Sequence, residues 1–405
     1  MPFAKPADSF AGRAGIRGRQ GAGAESTAGR RLRVLALCDH VGYEGRLHGS
    51  GRVMVEMAAA FQGEEVQVHA CVLQGDEELE SKLRDQGIPL TFLGYHRFDP
   101  RQIGELVTLI RRHSIDLVHA WDFGAATYGR IAALLTGRPA IIHIQSHHSQ
   151  YQRRGFPWYA RLAYRLLARY TVRAVALAPS IREFAIEKMG FREDQMVTIP
   201  NPAPRTLEAD VPPERVAELR DTHGLPEHVP VIGTLTRLFE AKGLEYLIDA
   251  MPTILESCPQ ARVLILGDGP LRADLERRAR QLELTDRIRF LGFQQDVAAH
   301  LRLFTVMVMP SLEEGMPLAA LESVAAGVPV VATRVGGLPD VVLEGETGML
   351  VEPGDADGLA KVLVRVLGDP ELQESLRQGC LRQRHRFSFD NFQQSLTRLY
   401  REVQA

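Results

Sequence analysis

The sequence is short of cysteine, of long apolar runs and of a surplus of either charge, and each shortage excludes a class of protein. Its four cysteines, Cys38, Cys71, Cys258 and Cys380, lie far apart with no C-x-x-C pair, which speaks against a zinc site or a dithiol redox motif and leaves reduced core thiols. No uninterrupted apolar stretch approaches the roughly 20 residues needed to cross a bilayer, and no charged start followed by an apolar core marks a secretory signal. The expected location is the cytoplasm. Lys and Arg number 48 against 50 Asp and Glu, a net charge of −2, so the chain lacks the positive excess that general nucleic-acid binding requires. What remains is ordinary globular composition, 45% hydrophobic and 24% charged over 405 residues, enough for two to three domains of roughly 150 residues each.

Residues 1–30 are rich in Gly, Ala, Arg and Ser, have no hydrophobic periodicity, and set Lys5, Arg13, Arg17, Arg19 and Arg30 against only Asp8 and Glu25. That reads as a disordered tail, although an organellar transit peptide shares the composition. From Arg31 short apolar runs at 34–37, 68–73 and 117–119 alternate with longer stretches of helical period. Continuous apolar strands separated by helices imply parallel sheets buried on both faces. The rhythm restarts at 229–233 and continues through 263–266, 288–290, 306–309 and 328–331. The expected architecture is therefore α/β, with two doubly wound domains, 31–200 and 227–386, joined by a proline-rich linker at 201–226. Such a pair leaves a cleft facing the carboxyl ends of both sheets, where ligands of these sheets bind.

The most informative stretch is Glu313-Glu314-Gly315-Met316-Pro317-Leu318, running on to Glu322, just after the apolar run at 306–309. Pro317 suits the first turn of a helix, so Glu314 falls in the loop before it and Glu322 about a turn and a half inside. Two carboxylates then bracket a helix start able to hold phosphate. An ionised carboxylate offers only acceptors, which suits sugar hydroxyls, while helix-start amides suit a diphosphate. Read alone, the segment fits a solvated helix with an acidic beginning better. A second cluster lies at 233–243, where Arg237 and Lys242 sit five residues apart in a strand-to-helix turn. A planar guanidinium and an ammonium point charge suit a diphosphate whose charge grows as it leaves; an exposed pair of surface cations is the plain alternative. Gly267-Asp268-Gly269-Pro270 is a third strand-end loop, but it lacks the third glycine of a dinucleotide fingerprint, which argues against a nicotinamide dehydrogenase.

Together these segments resemble the family-4 (group 1) retaining glycosyltransferases of the GT-B fold over about residues 31–400, most strongly from 233 to 351. The family's E-x7-E element matches Glu314 to Glu322, its arginine and lysine match Arg237 and Lys242, and its G-x-P-V-V-A-T-x-x-G-G matches Gly327 through Gly337. The resemblance implies two Rossmann-like domains facing across a cleft, the C-terminal one holding the nucleotide sugar. It further implies that Glu314 contacts the donor sugar, that Glu322 binds the ribose, and that Arg237 and Lys242 neutralise the diphosphate beside Gly315, Met316 and Leu318. Gly292-Phe293 resembles the segment that holds the base, and Gly49-Ser50-Gly51 resembles the N-terminal glycine loop near the phosphates, so Gly292, Phe293, Gly49 and Gly51 join the expected donor site. Residues 387–405, with Phe392, Leu396 and Tyr400 at helical spacing, resemble the family's last helix, which crosses back onto the N-terminal domain. Closure would then bend near 200 and 385.

By that resemblance the enzyme moves a hexose from a UDP-sugar or GDP-sugar to a glycan or lipid-linked acceptor in cell-surface polysaccharide or glycolipid synthesis. The configuration is retained, the leaving phosphate helps to deprotonate the acceptor, and no protein nucleophile, metal or other cofactor is required. A sugar-nucleotide-binding scaffold without transfer, and an epimerase of the same architecture, are the competing readings. Asp355-Ala356-Asp357 mimics a metal-binding D-x-D but follows Pro353-Gly354 and reads as a helix N-cap. Some positions depart from the family. Its E-G-F-G has Met316 and Pro317 here, and Pro317 removes one N–H; its N-G after the last N-domain strand is Asn201-Pro202. The usual active-site histidine of the N-terminal domain falls on Gln145, with His143, His147 and His148 as neighbours and His119 reading as structural. Finally, the segment 153–173 carries Arg153, Arg154, Arg161, Arg165, Arg169 and Arg173 without an acid, interleaved with Trp158, Tyr159, Tyr164 and Tyr170. It suits peripheral contact with anionic lipid at the inner face of a membrane, or a lipid-linked phosphate, or else a solvated helix whose aromatics pack on the domain.

Overall fold

The computed structural model describes residues 30–43, 46–47, 49–63, 65–96, 99–144, 157–207 and 210–405. The tail before residue 30, together with Gln145, His147, His148, Arg153 and Arg154, lies outside the described residues. The strands of the first half are β1 (Leu32–Cys38), β2 (Val66–Val72), β3 (Leu90–Phe92), β4 (Leu117–Trp121), β5 (Ala140–Ile144), β6 (Arg173–Ala176) and β7 (Met196–Thr198), the apolar runs lying in β1, β2 and β4. They form one sheet in the order β3-β2-β1-β4-β5-β6-β7, every neighbouring pair parallel. The second half gives β8 (Val231–Leu235), β9 (Arg262–Leu266), β10 (Ile288–Gly292), β11 (Val306–Met309), β12 (Val330–Thr333) and β13 (Gly348–Val351). Their order is β10-β9-β8-β11-β12-β13, again all parallel. Every residue of β4, β5 and β11 is buried, because helices cover both faces of each sheet; that is why these strands read as unbroken apolar runs rather than alternating ones.

The strand order reverses between β1 and β4 in the first sheet and between β8 and β11 in the second. At such a reversal the connecting helices leave on opposite faces, and a crevice opens at the carboxyl edge. The stretch between the sheets is not irregular throughout, as its prolines suggested. Pro213–Thr222 is a helix with Pro213 as its first residue, a position where the missing N–H would have had no helical partner.

The chain ends by returning to its first domain. Ser388 caps the helix Phe389–Gln404 by accepting the Asn391 N–H at 3.2 Å. The helix seats Phe389, Phe392, Leu396, Leu399 and Tyr400 in the same apolar core as Val34, Val68 and Leu117. The two crossings between domains meet where the Ala203 N–H donates to the Phe387 carbonyl at 2.7 Å. Beneath the helix, the His119 ring lies 4.0 Å from Trp121, the His143 ring 5.0 Å from Trp121, and Tyr400 Oη is 2.7 Å from His119 Nδ1. Burial lowers His143 to about 3 and holds His119 well below its ordinary value, so both are neutral core residues. The four cysteines are free thiols, and burial pushes Cys71 and Cys380 up to about 12.

Candidate active site

The reversal point of the first sheet is filled by its own carboxylate. Asp39, at the end of β1 and 3% exposed, accepts the N–H groups of Gly124 and Ala125 at 3.0 and 2.5 Å, the start of the helix Phe123–Thr136. An anionic ligand would find those donors taken. The equivalent point of the second sheet is built differently. Lys242 comes from the loop after β8 and Glu314 from the loop after β11, the two strands that flank the reversal, and Lys242 Nζ stands 2.7 Å from Glu314 Oε1. Ser311 Oγ donates to the same oxygen at 2.8 Å. An ammonium has three donors, so Lys242 retains two after this contact.

Backbone contacts fix the loop that carries Glu314. The Leu312 N–H donates to the Ala241 carbonyl at 2.8 Å and the Gly337 N–H to the Gly315 carbonyl at 2.6 Å. Gly336 has φ 54°, and a Cβ there would stand 1.9 Å from the Glu314 carbonyl oxygen. Only glycine combines that left-handed backbone with so close an approach. Arg237 is exposed on the neighbouring loop, its guanidinium 4.5 Å from the Phe239 ring centre, and it forms no ion pair among the described residues. Its donor fork is available to a ligand.

The helix behind this loop begins one residue later than expected. It spans Leu318–Ala325 with Pro317 as its N-cap, so the N–H that Pro317 lacks is not one of the helix's own open donors. The Ala320 N–H folds back onto the Pro317 carbonyl at 3.1 Å, which leaves Leu318 and Ala319 to present theirs. Met316, expected among the ligand contacts, is 7% exposed and packed in the apolar core; only its backbone remains to face a ligand. Leu318 lies across the cleft from the first domain, where Gly49 opens the helix Gly49–Ala60: a Cβ on Gly49 would stand 3.0 Å from Leu318 Cδ1. Gly51, in the first turn of that helix, is required by the chain passing at Val41, since a Cβ there would overlap the Val41 carbonyl oxygen at 1.7 Å. Gly292 ends β10 with φ 69° and its carbonyl accepts the Gly267 N–H at 2.8 Å; Phe293 follows it, half exposed, on the same carboxyl edge two strands from β8.

Glu322 is 6% exposed, and its partner was not foreseen. Arg52, one turn into the helix Gly49–Ala60, reaches across the cleft to place Nη1 2.6 Å from Glu322 Oε1. Burial pushes the Glu322 carboxyl above its ordinary value, and Arg52 pulls it back. A cavity of about 570 Å³ opens beside the pair, walled by Arg52, Glu56, Pro204, Arg215, Gln295 and Glu322, and so by both domains and the segment joining them. A second bridge joins the domains where Ser180 Oγ donates to Asp340 Oδ2 at 3.0 Å. The one trace of Arg52 in the sequence is a cation one turn beyond Gly49. His119 and His143 stay in the core, away from the cleft, and Asp355 caps the helix Ala356–Gly368 by accepting the Gly358 N–H at 2.8 Å.

Comparison with known proteins agrees with this geometry. Residues 229–369 match the model of glycosyl transferases group 1, and residues 47–205 match that of glycosyltransferase family 4. The 2-deoxystreptamine glucosyltransferase of Streptomyces kanamyceticus is 31% identical over 280 residues, 66% of this chain and 72% of that one. The UDP-Gal:alpha-D-GlcNAc-diphosphoundecaprenol alpha-1,3-galactosyltransferase of Escherichia coli is 29% identical over 284 residues, 68% and 72% of the two chains. The crystal structure of Anabaena HepE in complex with UDP shares the fold with a TM-score of 0.79 at 22% identity, over 92% of this chain and 100% of that one. The chain belongs to the group 1, family-4 glycosyltransferases and has the GT-B fold, two Rossmann-like domains facing across a cleft.

Proposed function

We propose that this glycosyltransferase takes a hexose from a UDP-sugar or GDP-sugar and delivers it, with retention of configuration, to a glycan or lipid-linked acceptor at the cytoplasmic face of a membrane, in cell-surface polysaccharide or glycolipid synthesis. The observation that carries the reading is the meeting of Lys242 with Glu314, beside the open Arg237, at the reversal point of the second sheet. The relative from Escherichia coli is named for a UDP-galactose donor and a diphosphoundecaprenol-linked acceptor, which supports both halves of it.

As the bond from anomeric carbon to phosphate breaks, its electron pair stays on the phosphate oxygen. Arg237, the remaining Lys242 donors and the N–H groups of Leu318 and Ala319 stabilise that charge where it develops. The same oxygen takes the proton of the acceptor hydroxyl, whose oxygen bonds the anomeric carbon on the face the phosphate leaves; no group of the protein forms a covalent intermediate. Glu314, held by Lys242 and Ser311, accepts hydrogen bonds from the sugar hydroxyls, and Glu322 accepts those of the ribose once Arg52 yields it. Because side chains and amides supply the positive charge, chelation with EDTA leaves turnover unchanged. Calorimetric titration of UDP, GDP and ADP tests the donor site: wild type binds one of them in the micromolar range and Arg237→Ala loses it. If none of the three binds, the reading fails.

A further inference from the structure

The helix Trp158–Ala168 has two apolar stripes. Ala160, Tyr164 and Ala168 are buried against the first domain; Trp158, Leu162 and Leu166, spaced by four on the opposite face, are exposed, Trp158 to 76%. A helix lying on a domain ordinarily turns its polar face to water, and this one turns tryptophan and leucine outward. Tyr159, Tyr170 and Val172 extend the patch, as do Leu134 and Leu135 from the last turn of the helix Phe123–Thr136. Of the eleven large hydrophobic side chains exposed among the described residues, eight belong to it.

Positive charge borders the patch. Arg161, Arg165 and Arg169 form a stripe beside the exposed leucines. The stripe ends at a pocket of about 380 Å³ whose wall includes Arg138, Arg169, Arg173 and Arg192. Arg192 is 3.0 Å from Asp194 and Arg138 is 3.9 Å from Asp116, whereas Arg169 and Arg173 form no ion pair among the described residues. Behind the wall Arg130, 1% exposed, reaches Thr171 Oγ1 of the pocket at 3.4 Å and packs 5.3 Å from the Tyr164 ring centre; its other terminal nitrogen has no hydrogen-bond partner among the described residues. Burial lowers Arg130 to about 10, so it stays charged near neutral pH. Residues 123–182 contain nine arginines and no Asp or Glu, in a chain whose total charge is nearly balanced.

We infer that this face docks on the surface of an anionic membrane leaflet, the Trp158-Leu162-Leu166 stripe entering the boundary between headgroups and acyl chains and the arginine pocket holding a lipid headgroup phosphate. An uncovered apolar stripe bordered by arginine has the chemistry of a helix lying in that boundary, and the excess of arginine over acid in the stretch 123–182 matches the negative potential of such a leaflet. The direction of the helix adds a consequence. It runs back from the carboxyl end of β5 toward the amino end of β6, so its arginine pocket lies at the far edge of the sheet and Trp158 lies toward the cleft. A lipid-linked acceptor in the same leaflet would therefore meet the enzyme near the donor site, a step that rests on the acceptor class proposed above, as docking itself does not.

The test is sedimentation of the full chain with vesicles of phosphatidylcholine alone or mixed with phosphatidylglycerol. Wild type is expected to sediment with the mixed vesicles only, and less so as salt rises. Arg169→Ser with Arg173→Ser, and separately Leu162→Ser with Leu166→Ser, should each weaken partition about tenfold or more, while both retain the wild-type melting temperature and nucleoside diphosphate binding. No sedimentation, equal sedimentation with neutral vesicles, or sedimentation undiminished in the folded variants overturns the inference. So does a wild-type dimer by light scattering that ignores vesicles and turns monomeric in the leucine variant, which would assign the face to a second copy. Binding of inorganic phosphate without vesicle binding overturns it likewise. Because diphosphate binding is read in the same samples, failure of docking is separable from failure of the donor site.

Discussion

At the scale of single residues, Arg52 and Glu322 carry the clearest consequence. Burial raises the Glu322 carboxyl and Arg52 opposes the rise; take Arg52 away and the carboxylate must either gain a proton or be hydrated by a parting of the domains. A carboxyl raised in the closed form favours closure as pH falls through its titration and opposes it as pH climbs. Arg52→Ala is therefore expected to show a larger radius of gyration than wild type at pH 8 and a smaller excess at a more acidic pH. Equal radii at both pH values would remove Arg52 from this role. The two cations of the donor site should also separate. Arg237 is exposed without a carboxylate partner, so Arg237→Ala changes stability by no more than about 0.5 kcal/mol. Lys242→Ala takes the neighbouring cation from the buried Glu314 carboxylate and costs about 1–3 kcal/mol in denaturant unfolding. Arg237, Lys242 and Glu314 could be singled out from sequence because each sits in a strand-end loop with a local signature. Arg52 could not, since its partner stands 270 residues away and nothing local sets it apart from any helix-surface arginine. The inward turn of the Met316 side chain was hidden for a related reason: in a loop so close to a helix start, local sequence does not say which side chain points into the core.

Elements set these residues in place. The turn at Gly336-Gly337 braces the Glu314 loop, and Gly336→Ala would drive a methyl group against the Glu314 carbonyl. Displacing the loop by an ångström is expected to cost about a hundredfold in turnover, with diphosphate binding through Arg237 largely kept; undiminished turnover would show that the loop tolerates the shift. The stack between β4, β5 and the last helix predicts a pH effect on stability. His143 titrates near 3 when folded and near 6.5 when unfolded, so the unfolded chain binds a proton first as pH falls. Its stabilisation is complete above about pH 6.5 and declines toward pH 3, by about 2 kcal/mol between pH 7 and pH 5. Denaturant unfolding of wild type and His143→Phe at the two pH values measures this, the variant losing less on acidification. Both doubly wound sheets were legible because strands buried on two faces leave unbroken apolar runs. The short edge strands β3 and β7 lay outside those runs, and the helix Pro213–Thr222 was hidden by prolines that start helices as readily as they end them.

For the whole molecule, both crossings lie close together, tied by the bond from Ala203 to Phe387. Motion between domains should then be a rotation about that single seam, closing the cleft on nucleotide. Solution scattering with and without the bound diphosphate is expected to differ, and superimposable profiles would count against closure. Removing 388–405 tests the same architecture from the other side. Five large buried side chains of the last helix, at about 1.5–3 kcal/mol each, together rival the 5–15 kcal/mol that holds a typical domain folded. The truncated chain should lose its first domain's cooperative unfolding while the second keeps its own. That arrangement has a consequence for synthesis on the ribosome. Domains generally fold in the order they emerge, yet here the first to emerge lacks part of its core until the final sixteen residues of the helix have left the exit tunnel. The second domain can be finished while the first still waits, so a nascent chain stalled before Phe389 would expose the apolar groove meant for that helix and be a natural client for chaperones.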